Sequence, residues 1–267
     1  MLLAWIEDVG LGALSGDAVG WWVGAGRGLW HQIAGSVVAT TIVYVVMVRR
    51  GTWDAAEVGL TVPRAGSALW RGLAWGAGMA AGALGLAVVG GARVVTGPAF
   101  QDERFLPVAL AVLLGLAAAA GVEELLFRGY PLARLAREGG RLGGSVALTV
   151  VFVALHLPSP DVTGLGLLNI GLAGLVLSSV FFTGGGLVGA WAVHLGWNAG
   201  LALGADAPVS GLRFSLPVLE YLPGQASWWD GGAFGPEGGF AATLVLAAAA
   251  IYWMRRLRGS PREGVMT

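Results

Sequence analysis

Long apolar runs separated by short polar clusters set the pattern of this chain. Residues 29–48, 72–92, 105–120, 145–157, 162–182, 187–204 and 239–254 are each predominantly apolar. About 20 such residues in a helix match ~30 Å of hydrocarbon. The pattern therefore predicts an all-α, polytopic transmembrane helix bundle of seven to eight spans. The eighth depends on residues 1–28, where Glu7, Asp8 and Asp17 interrupt the apolar pattern and Trp5, Trp21 and Trp22 favour an interface.

The polar punctuation refines this picture. Gly72/Gly76 and Gly78/Gly82 would let a neighbouring helix approach the second span closely. The third span is expected to continue past the bilayer surface as an amphipathic, Arg-bearing helix over 130–138. Gly139-Gly140 and Gly143-Gly144 then predict a turn, and the following span ends at Pro158 and Pro160. Residues 205–238, with Trp228, Trp229 and several Gly and Pro, read as an outer loop on the membrane surface.

Composition agrees with a membrane protein. Of 267 residues, 56% are hydrophobic and 12% charged, against about 25% charged in soluble domains; the mean hydropathy is +0.73. All 16 bases are Arg and 16 acids balance them, without the clustered excess of base that nucleic acid requires. The absence of Cys excludes thiol nucleophiles, disulfides and thiolate metal sites. A cleaved signal peptide is not expected, because the N-terminus lacks a basic region. With seven alternating spans, Arg49, Arg50, Arg64, Arg71, Arg134, Arg137, Arg141 and the C-terminal arginines Arg255, Arg256, Arg258 and Arg262 share one side, opposite Arg27, Arg93, Arg104 and Arg213. The C-terminus is then cytoplasmic, and the Arg-only, Ala- and Gly-rich composition points to a bacterial cytoplasmic membrane.

Candidate chemistry centres on Gly-Val-Glu-Glu-Leu-Leu-Phe-Arg-Gly-Tyr, from Gly121 to Tyr130. A charged residue near the bilayer centre costs ~2.5–3.5 kcal/mol, so Glu123, Glu124 and Arg128 need partners or a water-filled cavity. Consecutive helical positions diverge by about 100°, whereas Glu124 and Arg128 stand one turn apart. That spacing predicts a Glu124–Arg128 ion pair and leaves Glu123 free to face a cavity. Glu123 lies 17 residues before Gly140 and His156 lies 16 after it. A hairpin turning there brings both to one depth, with Phe152 one turn before His156. A second pair, His194 and Asn198, shares one face of another span, while His31, beside Trp30, reads as interfacial.

A Glu, two His and an Asn suit peptide hydrolysis. A screened carboxylate can act as general base, one His can share the attacking water, and a His/Asn pair can donate to an oxyanion. The same Glu123, His156 and His194 could instead bind zinc with an open fourth position. There is no H-E-x-x-H helix, and no acid is evidently placed to orient either imidazole. Metal-free water activation is therefore favoured, no cofactor is expected, and zinc is the alternative.

Three motifs in series carry a family resemblance: Glu123-Glu124-Leu-Leu-Phe-Arg128, Phe152-Val-Ala-Leu-His156 and His194-Leu-Gly-Trp-Asn198. Together they resemble the CAAX prenyl endopeptidase family of intramembrane proteases, called CPBP or Abi, which includes bacteriocin-processing and immunity proteins. The resemblance implies a protease core at 105–204, of about four helices around an intramembrane cavity. It sets off an N-terminal membrane region at 1–104 with two clear spans, and a terminal region at 205–267 with the outer loop, last span and Arg-rich tail. It further implies that Glu123 is the base, acting with His156 on water, that His194 and Asn198 stabilise the oxyanion, and that Glu124 and Arg128 support the site. The family is labelled metalloprotease, although some members are described as glutamate-dependent, so it leaves the metal open. The expected partner is a membrane-associated peptide or protein in the bilayer. The alternatives are a non-catalytic scaffold or immunity-type protein held together by its buried polar cluster, and after it a proton-relay transporter. Rhomboid-type serine and G-x-G-D aspartate proteases are excluded by the absence of their motifs.

Overall fold

The computed structural model describes residues 38, 41, 44, 45, 55–56, 58–97, 105–214 and 219–259. The chain divides into 1–52 and 53–267. In the first unit, Val38, Thr41, Tyr44 and Val45 are helical; the rest of the span expected at 29–48 and the ambiguous segment 1–28 lie outside the described residues.

The second unit is built from α1 (Ala65–Val89), β1 (Arg93–Thr96), α2 (Phe105–Arg128), α3 (Tyr130–Leu155), α4 (Gly164–Val180), α5 (Gly186–Ala205), β2 (Leu219–Leu222), α6 (Ser227–Asp230) and α7 (Phe240–Gly259). Among the described residues, four helical stretches are long and apolar enough to cross a membrane: Ala65–Val89, Val108–Leu155, Gly164–Ala205 and Phe240–Gly259. They make the chain an integral membrane protein.

Two of the stretches, of 48 and 42 residues, exceed the ~20 residues of one crossing, and each folds back. Gly140 adopts φ 74°, ψ 163° inside α3, a conformation open to glycine. Beyond it, a Cβ on Gly144 would stand 2.9 Å from the backbone nitrogen of Ala136, so the two halves of α3 lie side by side. The turn expected at Gly139-Gly140 is present. The continuous helix expected through residue 138 is not, because α2 stops at Arg128 and α3 begins after Gly129 with a proline at its second position. The second stretch, 164–205, reverses at a π-helical segment, Phe181–Gly185, where Gly184 has φ 97°.

The two pairs of small residues in α1 prove inequivalent. Gly72 and Gly76 face α5, where a Cβ on Gly72 would stand 2.9 Å from the Gly189 carbonyl. Gly196 and Gly200 of α5 return the contact against Leu73 and Ala77, so the two backbones meet with almost no side chain between them. Gly82 faces Val245 of α7, and Gly78 faces open space.

The described residues of 205–238 fold into a cap with a strand and short helices of its own. β2 pairs antiparallel with β1, Arg93 opposite Leu222 and Thr96 opposite Leu219. The physical reason is polar satisfaction. The carboxylate of Asp230, fully buried, accepts from the backbone N–H groups of Gly224 and Gly232. The carboxylate of Glu237 accepts from the Trp197 indole and from the backbone and hydroxyl of Ser210. Asn169 of α4 donates to the Glu237 and Gly239 carbonyls at 2.7 and 3.0 Å.

Candidate active site

Ala- and Leu-rich sequence carries α2 to its last two turns, where Arg128 suits the negative end of the helix dipole. Glu124 has 0% of its side chain exposed; its Oε1 accepts from Arg128 Nη1 at 3.1 Å and from His194 Nδ1 at 2.8 Å. Among the described residues its Oε2, buried, has no hydrogen-bond partner. The guanidinium of Arg128, 2% exposed, also donates from Nη2 to the Gly174 carbonyl of α4 at 3.5 Å. Its Cζ lies 4.5 Å from the centre of the Phe152 ring and 5.7 Å from that of Phe127, within range for cation–π attraction. Arg128 thus ties α2 to α3 and α4, while Glu124 ties it to α5.

Glu123, one position earlier, points elsewhere. Its side chain is 36% exposed, and its Oε2 lies 3.9 Å from His194 Nε2. That is too long for a hydrogen bond and suits one shared water. His194 therefore presents its two ring nitrogens to two consecutive carboxylates. A carboxylate can only accept, so Nδ1 carries the proton towards Glu124 and Nε2 is the nitrogen left for chemistry.

His156 caps the C-terminal end of α3. Its Nδ1 lies 2.7 Å from the Phe152 carbonyl, which likewise only accepts, so Nε2 holds a lone pair in the neutral ring. The imidazole packs on Phe152 with centroids 4.6 Å apart. Phe127 and Phe152, 13 and 12 residues either side of Gly140, meet at 5.1 Å. Asn198 is buried one turn beyond His194 on α5.

Glu123, Glu124, Arg128 and His194 are thus joined by short polar distances, Phe152 joins them through Arg128, and His156 joins through Phe152. Among the described residues no hydrogen bond or ion pair links Glu123 to His156, or Asn198 to any of these groups. An acid to orient an imidazole, not evident in the sequence, is present: Glu124 serves His194. The donor set also bears on zinc. Glu123, His156 and His194 would have to converge as three ligands at ~2.0–2.2 Å from one ion. Among the described residues no group of three His, Cys, Asp or Glu side chains is placed to hold a metal ion.

Residues 105–200 match a protein-family model described as type II CAAX prenyl endopeptidase, Rce1-like. The segment is Rce1-like. This agrees with the resemblance of the three motifs, and the family is one of proteases. No curated protein and no solved structure matches the chain. The Rce1-like segment opens with α2 and closes within α5, so it contains every candidate site residue, while the cap lies beyond it.

Two residues that hold the Rce1-like site escaped the sequence reading. Trp191 and Trp197 stand three positions before and after His194. The Trp191 indole donates to the Ala117 carbonyl of α2 at 2.8 Å, and the Trp197 indole donates to Glu237 in the cap at 2.6 Å. The helix bearing His194 is thereby pinned on one side to the helix of Glu123 and Glu124, and on the other to the cap. The Trp-x-x-His-x-x-Trp spacing was the available signal.

Proposed function

We propose that this protein is an intramembrane endopeptidase that hydrolyses a peptide bond of a membrane-associated protein or peptide by glutamate-activated water. The observation that carries the reading is the pair of consecutive carboxylates around His194: Glu124 orients the ring, and Glu123 lies 3.9 Å from Nε2. The Rce1-like match over the same residues supports the reaction class.

In this reading Glu123 takes a proton from the attacking water, and the Nε2 lone pair of His156 accepts the water's second hydrogen bond. Water adds to the peptide carbonyl, and the negative charge develops on the carbonyl oxygen. His194, as an imidazolium matched by the Glu124 carboxylate, and the Asn198 amide donate hydrogen bonds to that oxygen. Glu123 then returns its proton to the leaving amine as the C–N bond breaks. Glu124, Arg128 and Phe152 position these groups. The apolar helices favour the bilayer itself as the setting, with a bacterial cytoplasmic membrane and a cytoplasmic C-terminus. No metal has a part in this scheme; a zinc ion on Glu123, His156 and His194 is the competing arrangement.

The experiment is cleavage of a fluorogenic membrane-peptide library by the purified protein and its Glu123→Gln variant, each with and without a zinc chelator. The reading expects activity in the wild type, undiminished by chelation, and a loss of about 10²–10⁴-fold in the variant, the weight of one general base. Loss to the chelator would instead assign a metal. A folded wild type without cleavage across the library would favour a non-catalytic scaffold, and a fully active Glu123→Gln would remove Glu123 as the base.

A further inference from the structure

A groove of about 600 Å³ runs between α1 and α7, lined by Ala74, Trp75, Gly78, Met79, Val245, Ala248, Ala249 and Tyr252. Trp75 and Tyr252 bring an indole N–H and a phenol hydroxyl to this lining, both at one end. There they stack with centroids 5.2 Å apart, and Trp253 meets Trp75 edge-on at 5.7 Å. The other end closes where Gly82 approaches Val245. A Cβ on Gly78 would meet nothing within 4 Å, so the groove is open at its middle. From Val245 to Tyr252 it is about 10 Å long at 1.5 Å per residue.

What lies beyond the aromatic end identifies the occupant. Arg256, one turn after Tyr252, donates from Nη1 to the Tyr252 hydroxyl at 3.0 Å and sits over the Tyr252 and Trp253 rings at 5.8 and 5.6 Å. Arg255 and Arg258 extend the positive charge, all three are exposed, and among the described residues no carboxylate pairs with them. An apolar slot that ends in an aromatic pair and then unmatched arginines has the order of an acyl chain, a glycerol ester region and a phosphate. Trp and Tyr favour the headgroup level, and Arg beside it attracts anionic lipid.

We propose that this groove binds one acyl chain of an anionic phospholipid, with its phosphate held by Arg256. The site is separate from the glutamate–histidine cluster, and the inference does not depend on the proposed hydrolysis.

The test is native mass spectrometry of the full-length protein in detergent, titrated with phosphatidylglycerol or phosphatidylcholine. Wild type should retain phosphatidylglycerol preferentially. Gly78→Phe should fill the slot and abolish retention, and Ala248→Phe, on the exposed facing position, should do the same should the first variant misfold. Arg256→Gln should lower the preference for phosphatidylglycerol about fivefold, the weight of one arginine beside an anionic headgroup. Equal retention of both lipids by wild type, or unchanged retention by a folded slot-filling variant, would overturn the proposal. The natural chain has no Cys, so Gly78→Cys also reports other occupants. A disulfide to a cysteine placed within residues 29–48, or between two copies at Gly78→Cys, would assign the groove to protein instead of lipid.

Discussion

His194 Nδ1 and Glu124 Oε1 lie 2.8 Å apart although 70 residues separate them, and the same oxygen also takes Arg128 at 3.1 Å. One buried carboxylate therefore does two tasks: it compensates a buried guanidinium and fixes the imidazole that faces Glu123. Glu123 and Glu124, adjacent and identical in type, differ only in direction, and that difference separates their expected mutant phenotypes.

Glu124→Gln and Arg128→Ala should both destabilise the protein, since each leaves an unmatched buried group. Breaking a buried pair in this way costs about 3–5 kcal/mol. Glu123→Gln, at a position 36% exposed, should change stability by about 0.5 kcal/mol or less. Thermal unfolding of the three variants in detergent checks this; equal losses would show that Glu123 also bears structural load.

The two tryptophans around His194 should act through their indole N–H groups. Trp197→Phe keeps the ring but strips Glu237 of a buried donor, at about 1–3 kcal/mol. A double-mutant cycle of Trp197→Phe with Glu237→Ala should give a coupling of about 0.5–3 kcal/mol. Additive losses would mean that the 2.6 Å contact carries no net energy.

Glycines of α1 should divide by the face they occupy. Gly76→Val drives a side chain into the backbone of Val193 and Trp197, whereas a Cβ on Gly85 meets nothing within 4 Å, so Gly85→Val starts from open space. The first should prevent folding or cost at least about 3 kcal/mol, as overpacking does at its severe end, and the second should be almost neutral. Expression as a monodisperse species and its melting temperature read the contrast.

Tyr221 lies outside the apolar helices and donates its hydroxyl to the Asp230 carbonyl at 2.8 Å. Burial, with the Asp230 carboxylate second, raises its ionisation above the ordinary value of 10.0. A group raised on folding contributes stability in full below its unfolded pKa, and loses that contribution as pH rises through the folded one. The advantage of wild type over Tyr221→Phe should therefore be constant at neutral pH and shrink above about pH 10. Melting temperatures of the pair across alkaline pH decide it; a gap that widens would contradict the sign.

Much of this site was legible because its chemistry conflicts with its surroundings. Glu123, Glu124, Arg128, His156 and His194 stand out as ionisable groups in apolar runs, and helical spacing alone pairs Glu124 with Arg128. The Gly-rich turn at Gly140 was legible for a similar reason, since only glycine takes its backbone angles readily. The cap was not. Asp230 and Glu237 sit among Gly, Pro and Trp in a segment with no periodicity, and their partners Gly224, Ser210, Asn169 and Trp197 come from a neighbouring turn, a separate loop and two distant helices. The break at Gly129 was also hidden, because apolar and amphipathic patterns run through it without interruption.

Apolar runs with a few ionisable groups set into them specify a chain of apolar helices before any contact is known, because burial and helical period act locally. The packing of the helices sets which carboxylate meets His194, which of the α1 glycines face a backbone and which face open space, and how the described residues of 205–238 fold into a cap. Those outcomes depend on the rotation and depth at which α1, α2 and α5 pack. A rotation of 100° per residue is enough to exchange the roles of Glu123 and Glu124, and no pattern within a single helix fixes it.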